Sequence, residues 1–210
     1  MIRAGFGERD MLTLHQMHIS GNCYKIRLLA HQLAIPLLLE EYPLHDGKTR
    51  KPPFLAKNPN GRVPLLELED GHFLPESGAI LFYLSEGTSF QPDTAWDRAQ
   101  MLSWMFFEQY EHEPTIAVAR RWLRYESKEA LEKKRHLIPE WHAKGNAALG
   151  VMETHLKTHE WFAGRRYSIA DIALYGYTHS AGEGGFDLAL YPAVSSWLER
   201  VRAQPNHIPL

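Results

Sequence analysis

The chain predicts two domains of different class: a small mixed α+β domain followed by an all-α one. Three observations lead there. Strand-like runs and turn signals fall between residues 11 and 86, in the order βαβ-α-ββα. A turn-rich polar stretch, Gly87 to Asp93, then breaks the pattern and reads as a linker. Beyond it, over residues 94–210, no strand pattern recurs and helical periodicity dominates.

Each element follows from local chemistry. Leu12, Leu14 and Gln16 alternate with Thr13 and His15, which predicts a first strand. The polar run 18–22 breaks it. From Cys23 to Leu33 the residues Ile26, Leu29, Ala30 and Leu33 share a helical face, and Pro36 ends that helix. Leu37 to Tyr42 is an apolar strand, and a short segment forms around Phe54-Leu55. A turn at 58–61 leads through Val63-Pro64 into a strand, Leu65 to Leu68, and Asp70-Gly71 turns the chain into a second strand ending at Leu74. Glu76-Ser77 opens a helix over 76–86. In the second half a long helix starts at Thr94 and is interrupted near Pro114, and another covers roughly 128–157 with Pro139 as a kink or a fresh start. Ser168 and Asp171 form a capping box, and Tyr191-Pro192 leads a last amphipathic helix.

Composition excludes several partners. A formal net charge of -2 gives no electrostatic case for nucleic acid or for an anionic membrane. No apolar run approaches the roughly 20 residues of a membrane span. Residues 1–10 lack the apolar core of a signal peptide and read as a disordered extension before a folded start near Met11. A single cysteine excludes an intrachain disulfide and suits a reducing cytoplasm. Among the 12 histidines, His155 and His159 have i,i+4 spacing, but no HExxH or Cys/His set accompanies them, so no metal is expected.

The stretch from Asn58 to Leu84 carries the functional signal. An X-Pro bond adopts cis for only about 0.5–1 kcal/mol. A cis bend at Val63-Pro64 would turn the Val63 N–H and C=O outward, where a peptide-like ligand pairs as an added strand. Glu76 and Ser77 stand at a helix N-terminus, suited to a carboxylate. With Ser20-Gly21-Asn22-Cys23 at the first strand–helix turn, Arg62-Val63-Pro64, Glu76-Ser77 before GAILFYL, and Ser168-x-x-Asp171, the chain from Met11 onward resembles the cytosolic glutathione transferases. The match is to a bacterial, serine-type, theta- or nu-like form.

The resemblance implies a thioredoxin-like N-terminal domain that binds glutathione, an all-helical C-terminal domain and a homodimer. It implies a hydrophobic electrophile bound between the two domains. It further implies that Val63 pairs with the cysteinyl backbone, that Glu76 and Ser77 hold the γ-glutamyl amine and carboxylate, and that Arg62 lies close by. The resemblance also implies that Lys48 or Lys51 meets the glycyl carboxylate. Within the aromatic run of the first long helix, Phe106 and Tyr110 share a face, and by resemblance that helix borders the electrophile pocket.

The reaction needs a thiolate, and a free thiol of pKa about 8.5 is only a few per cent ionised at pH 7. Lowering that value by two units takes about 2.7 kcal/mol. A hydroxyl hydrogen bond to an anion supplies roughly 1.5–3 kcal/mol, and a helix N-terminus adds about 0.3–1 kcal/mol. Ser20, at the turn into the first helix, is the expected donor; Tyr24 falls beyond that turn. Asn22 is either an ordinary helix cap or a second donor to the sulfur. Cys23 is either a buried structural residue or a partner in a mixed disulfide with glutathione. Glutathione conjugation is therefore the expected activity. The rivals are glutathione-dependent disulfide reduction or peroxidase activity, and a non-catalytic ligand-binding protein.

Overall fold

The computed structural model describes residues 11–210, so the extension expected at 1–10 lies outside the described residues. The chain forms two compact units. One ends at Gln91 and includes Pro205–Leu210; the other spans Pro92–Gln204.

The first unit is built on a four-stranded sheet. Strand β1 (Leu12–Gln16) leads into helix α1 (Gly21–Gln32), which crosses over to strand β2 (Leu37–Glu41). A 3-10 turn at Lys48–Arg50 and the short helix α2 (Pro52–Leu55) precede β3 (Leu65–Glu67), β4 (Phe73–Pro75) and helix α3 (Ser77–Ser85). The strand order is β2-β1-β3-β4. β1 runs parallel to β2, as the α1 crossover requires, and antiparallel to β3; β3 and β4 form a hairpin. This is the thioredoxin-like order βαβ-α-ββα.

The core of this unit lies between the sheet and the helices. Leu14, Leu65, Leu66, Ile26, Leu29, Ile80 and Leu81 are fully removed from solvent. Each such side chain contributes about 1.5–3 kcal/mol on burial. Strand β2 differs from its apolar look: Leu38 and Leu39 are exposed, because β2 is the sheet's edge. His15 sits fully buried in the middle of β1, where an isolated polar ring would be costly. Its Nε2 meets Glu67 Oε2 at 2.8 Å and its Nδ1 lies 3.1 Å from the Tyr42 hydroxyl. Lys57, first, and His15 hold the Glu67 carboxyl below its ordinary value. The C-terminal tail packs on α1, with the Tyr24 hydroxyl donating to the Ile208 carbonyl at 2.6 Å.

The second unit is all-helical. Helix α4 (Ala95–Phe107) passes through one π turn (Glu108–His112) into α5 (Glu113–Arg124). The interruption expected at Pro114 is therefore a π turn just before it, with Pro114 in the first turn of α5, where its missing N–H leaves no bond unmade. After α6 (Lys128–Glu132) and a 3-10 turn, α7 (Ile138–Leu156) begins afresh with Pro139 in its first turn. Helices α8 (Ile169–Thr178) and α9 (Pro192–Arg202) complete the unit.

Asp171 organises α8 and its neighbours. Its Oδ2 accepts from the Ser168 amide at 2.9 Å and the Ser168 hydroxyl at 3.0 Å. Its Oδ1 accepts from the Phe162 amide at 3.2 Å and the Trp197 indole N–H at 3.0 Å. Among the described residues no helix is long and apolar enough to cross a membrane.

Candidate functional site

The register of the sheet gathers the candidate residues at one end. Leu65 pairs with His15 on one side and with Pro75 on the other. Two residues further along each chain lie Met17, Val63 and Ser77, so these three share the same end of the sheet. Ser20 is tied to that end by its amide, which donates to the Met17 carbonyl at 3.0 Å.

The loop before Val63 is built to hold its shape. Asn58, almost fully buried, donates to the Arg62 carbonyl at 2.8 Å and accepts from the Asn60 amide at 3.1 Å. Arg50 donates to the Asn60 carbonyl at 2.8 Å. Gly61 has φ +63°, and a Cβ there would lie 2.8 Å from the Thr49 carbonyl oxygen, so only glycine fits. The Val63-Pro64 peptide is cis. Among the described residues no hydrogen bond engages the Val63 amide or carbonyl. An unpaired N–H and C=O pair at the sheet end is an open edge for an extended peptide.

Across the hairpin, Glu76 takes φ +72° and ψ 119° at the start of α3. For a non-glycine residue such a conformation costs on the order of 1–3 kcal/mol and is concentrated at functional sites. Its side chain is exposed and does not cap the helix, while its carbonyl accepts from the Ile80 amide. The first N–H groups of α3 are thus left to other acceptors. Ser77 is buried, and its hydroxyl donates to Asn22 Oδ1 at 3.3 Å. That bond joins the starts of α1 and α3.

At the start of α1, Ser20 is the N-cap, with its Oγ accepting from the Cys23 amide at 3.4 Å. A hydroxyl that accepts through a lone pair keeps its hydrogen for donation. Cys23 is fully buried. Burial pushes its thiol up to about 11, against smaller lowering from the Met17 amide and the Ser20 hydroxyl. Cys23 therefore stays protonated at neutral pH, as a buried structural thiol does.

Not every expected residue joins this group. Lys48 is exposed in the 3-10 turn, its ammonium 3.6 Å from Asp46. Arg62 and Lys51 are exposed, Arg62 on the loop just before Val63. In the helical unit, Phe106 is 70% and Tyr110 81% exposed. A cavity of about 910 Å³ in that unit is lined instead by residues such as Trp96, His155, Trp161 and Phe162. Among the described residues no group of three or more His, Cys, Asp or Glu side chains could hold a metal ion. One residue escaped the sequence reading: Lys25, 1% exposed, donates to Asn22 Oδ1 at 2.6 Å. The available signal was a lysine inside a helix whose first nine or so residues are otherwise mostly apolar.

The thioredoxin-like sheet with an open cis-proline edge, joined in one chain to an all-helical unit, defines a class. Residues 14–89 match the glutathione S-transferase N-terminal domain and residues 96–205 the C-terminal domain. The chain belongs to the glutathione S-transferase family. Its sequence is 30% identical over 191 residues to the disulfide-bond oxidoreductase YfcG of Escherichia coli K12, covering 88% of this chain and 87% of that one. Two crystal structures superpose with a TM-score of 0.91. One is a possible glutathione S-transferase from Rhodopseudomonas palustris, 49% identical, covering 94% of this chain and 89% of that one. The other is a glutathione S-transferase from Pseudomonas fluorescens Pf-5, 48% identical, covering 94% and 98%.

Proposed function

We propose that the protein is a serine-type glutathione transferase that joins the thiolate of glutathione to a hydrophobic electrophile. The observation that carries this reading is the unpaired Val63 backbone, opposite Ser77 and at the same end of the sheet as Ser20. In this reading the cysteinyl backbone of glutathione pairs with Val63. The γ-glutamyl carboxylate meets Ser77 and the free N–H groups of α3, and Glu76 holds the amine. Arg62, with Lys48 or Lys51, supplies positive charge for the glycyl carboxylate.

The Ser20 hydroxyl then donates to the sulfur and, with the N-terminus of α1, favours its ionisation. The thiolate attacks the electrophile and forms the carbon–sulfur bond as the leaving group departs, or adds across an activated double bond. The exposed pair Phe106 and Tyr110 offers apolar surface to that electrophile. No step calls on a metal. By family, the working form is a homodimer in the cytoplasm, which light scattering on the purified chain and cell fractionation test.

A second reading is glutathione-dependent disulfide reduction, extending to peroxides. It is favoured by Asn22, held beside Ser77 where a second donor to sulfur would stand, and by the similarity to a disulfide-bond oxidoreductase. A third, a ligand-binding protein without catalysis, leaves the open Val63 edge without a chemical use. One panel separates the three. Glutathione is supplied with aryl halides, isothiocyanates, peroxides or mixed disulfides. Turnover of the first two classes supports conjugation, turnover of the last two alone supports the second reading, and binding without turnover of any supports the third.

A further inference from the structure

The cavity of about 910 Å³ lies wholly in the helical unit, since every residue lining it falls between Pro92 and Arg166. None of them belongs to the group around Ser20, Val63 and Ser77. Its volume is that of a small-molecule site.

A stack of rings lines it. His155 lies in the last turn of α7 and His159 one turn further on, its amide donating to the His155 carbonyl at 3.1 Å. The two imidazoles are parallel, with 4.2 Å between centroids and 8° between planes, and His155 is parallel to Phe162 at 5.4 Å and 10°. Exposure rises from Phe162 at 2%, through half-buried His155, to exposed His159. Hydrogen bonds fix the rings: His155 Nε2 donates to the Trp161 carbonyl at 3.1 Å, and His159 Nδ1 to the His155 carbonyl at 3.2 Å. Burial holds the His155 imidazole below its ordinary value, against the opposing pull of the Trp161 carbonyl, so at neutral pH it stacks as an uncharged ring. Trp96, 71% exposed in the first turn of α4, adds a further aromatic face.

The charges decide the sign of a ligand. Asp93 is paired with Arg166 at 2.9 Å, and Asp97 accepts from the Thr94 hydroxyl at 2.8 Å. Among the described residues the Arg165 guanidinium has no ion pair or hydrogen bond, and neither has the Gln100 carboxamide. The groups left to a ligand are therefore a cation and an amide beside stacked rings.

We propose that this cavity binds a planar aromatic acid, a carboxylate or sulfonate whose ring packs on His159 and Trp96 and whose anionic group pairs with Arg165. Aromatic stacking and a charge-assisted bond to a guanidinium are the two interactions these side chains offer. A planar cation would have to compete for carboxylates that already hold partners. The site uses no residue of the glutathione-binding reading and stands whether or not that reading holds.

The test is calorimetric binding of 2-naphthoate, with 2-naphthylmethanol and 2-naphthylmethylamine as neutral and cationic counterparts. Each titration is made with saturating S-hexylglutathione, which fills the glutathione and electrophile surfaces of the proposed transferase. Naphthoate is expected to bind under these conditions, at least about fivefold more tightly than either counterpart. Trp96→Ala and Arg165→Gln should each weaken it by about tenfold, and Arg165→Gln should also abolish its advantage over the alcohol. His159→Ala should weaken all three ligands alike by about threefold, since it removes stacking surface. All three residues are exposed, so the variants keep the fold, which circular dichroism checks.

Displacement of naphthoate by S-hexylglutathione overturns the site, as does unchanged affinity in any of the three variants. Equal affinity for acid, alcohol and amine overturns the assignment of an acid. If Trp96→Ala instead changes the molecular mass seen by light scattering and leaves naphthoate affinity alone, a second copy covers Trp96 and the site is likewise overturned. A wild-type chain that ignores S-hexylglutathione but takes naphthoate counts against the transferase reading alone.

Discussion

Asp171 in the helical unit and Val63 at the end of the sheet treat their polar groups in opposite ways. Asp171 is fully buried and accepts from four donors belonging to Ser168, Phe162 and Trp197. Val63 keeps an amide and a carbonyl with no partner among the described residues, and its neighbour across the hairpin, Glu76, holds a strained backbone without capping the helix that follows. Both clusters centre on helix starts. The closed one satisfies its donors internally and so holds segments together. The open one leaves them for something else, and the strained backbone at Glu76 lies directly after strand β4 of the hairpin.

If that contrast is right, breaking the closed cluster should unfold the protein and breaking the open one should not. Asp171→Ala removes four hydrogen bonds and leaves three buried N–H groups and a hydroxyl unsatisfied. A loss of at least about 4 kcal/mol of stability is expected, since each orphaned buried donor costs roughly 1–3 kcal/mol. Urea unfolding measures it, and any soluble fraction that refolds should still bind glutathione with near-normal affinity. A stability change under about 1 kcal/mol would show that the cluster is not what holds α8 and α9 in place.

The open cluster should respond in chemistry instead. Ser20→Ala deletes a charge-assisted hydrogen bond of roughly 1.5–3 kcal/mol, so the bound thiol's pKa should rise by about one to two units. Conjugation at neutral pH should fall about 10- to 100-fold and recover at high pH. A thiolate titration identical to wild type would remove Ser20 from the chemistry and leave Asn22 as the sulfur's donor. Ser77→Ala should act on affinity, weakening glutathione by about tenfold for the loss of one hydrogen bond to a carboxylate. Unaltered calorimetric binding would count against the carboxylate site.

The same contrast explains what could be read from the chain. The order of strands and helices was legible because it rests on periodicity: alternation in β1, the hairpin signals at Asp70-Gly71, and the capping residues Ser168 and Asp171. The open cluster was legible where it depends on backbone chemistry, at Val63-Pro64 and Glu76-Ser77. What stayed hidden depends on three-dimensional packing. Lys25 is invisible as a buried charge until α1 is known to be enclosed on nearly every side. The π turn after Phe107 inserts its extra residue without a sequence mark other than the nearby Pro114. The leucines of β2 read as an apolar strand, and the sequence does not mark the edge position that leaves two of them exposed.

Cys23 gives the smallest predicted effect and the sharpest boundary between the two clusters, because it neighbours Ser20 but behaves like the closed kind. Cys23→Ala should leave conjugation within about twofold of wild type, since a thiol that stays protonated is no nucleophile. A loss matching that of Ser20→Ala would instead bring the sulfur into the reaction. The pH dependence of stability adds an independent sign. The thiol ionises near 9.0 in the unfolded chain and near 11 in the folded one, because burial disfavours the anion. Between those values the unfolded state has released its proton and the native state has not, so unfolding becomes easier as pH rises. The contribution is fully present below about pH 8, is reduced by about 1.4 kcal/mol at pH 10, and is reduced by approximately 3 kcal/mol above pH 11. Urea unfolding of wild type and Cys23→Ala at pH 7 and pH 10 isolates this effect: the stability difference between them should move toward the variant by that amount. An equal pH response in both proteins would mean that Cys23 reaches solvent, and that the start of α1 is as open at its inner face as Val63 is at the sheet's edge.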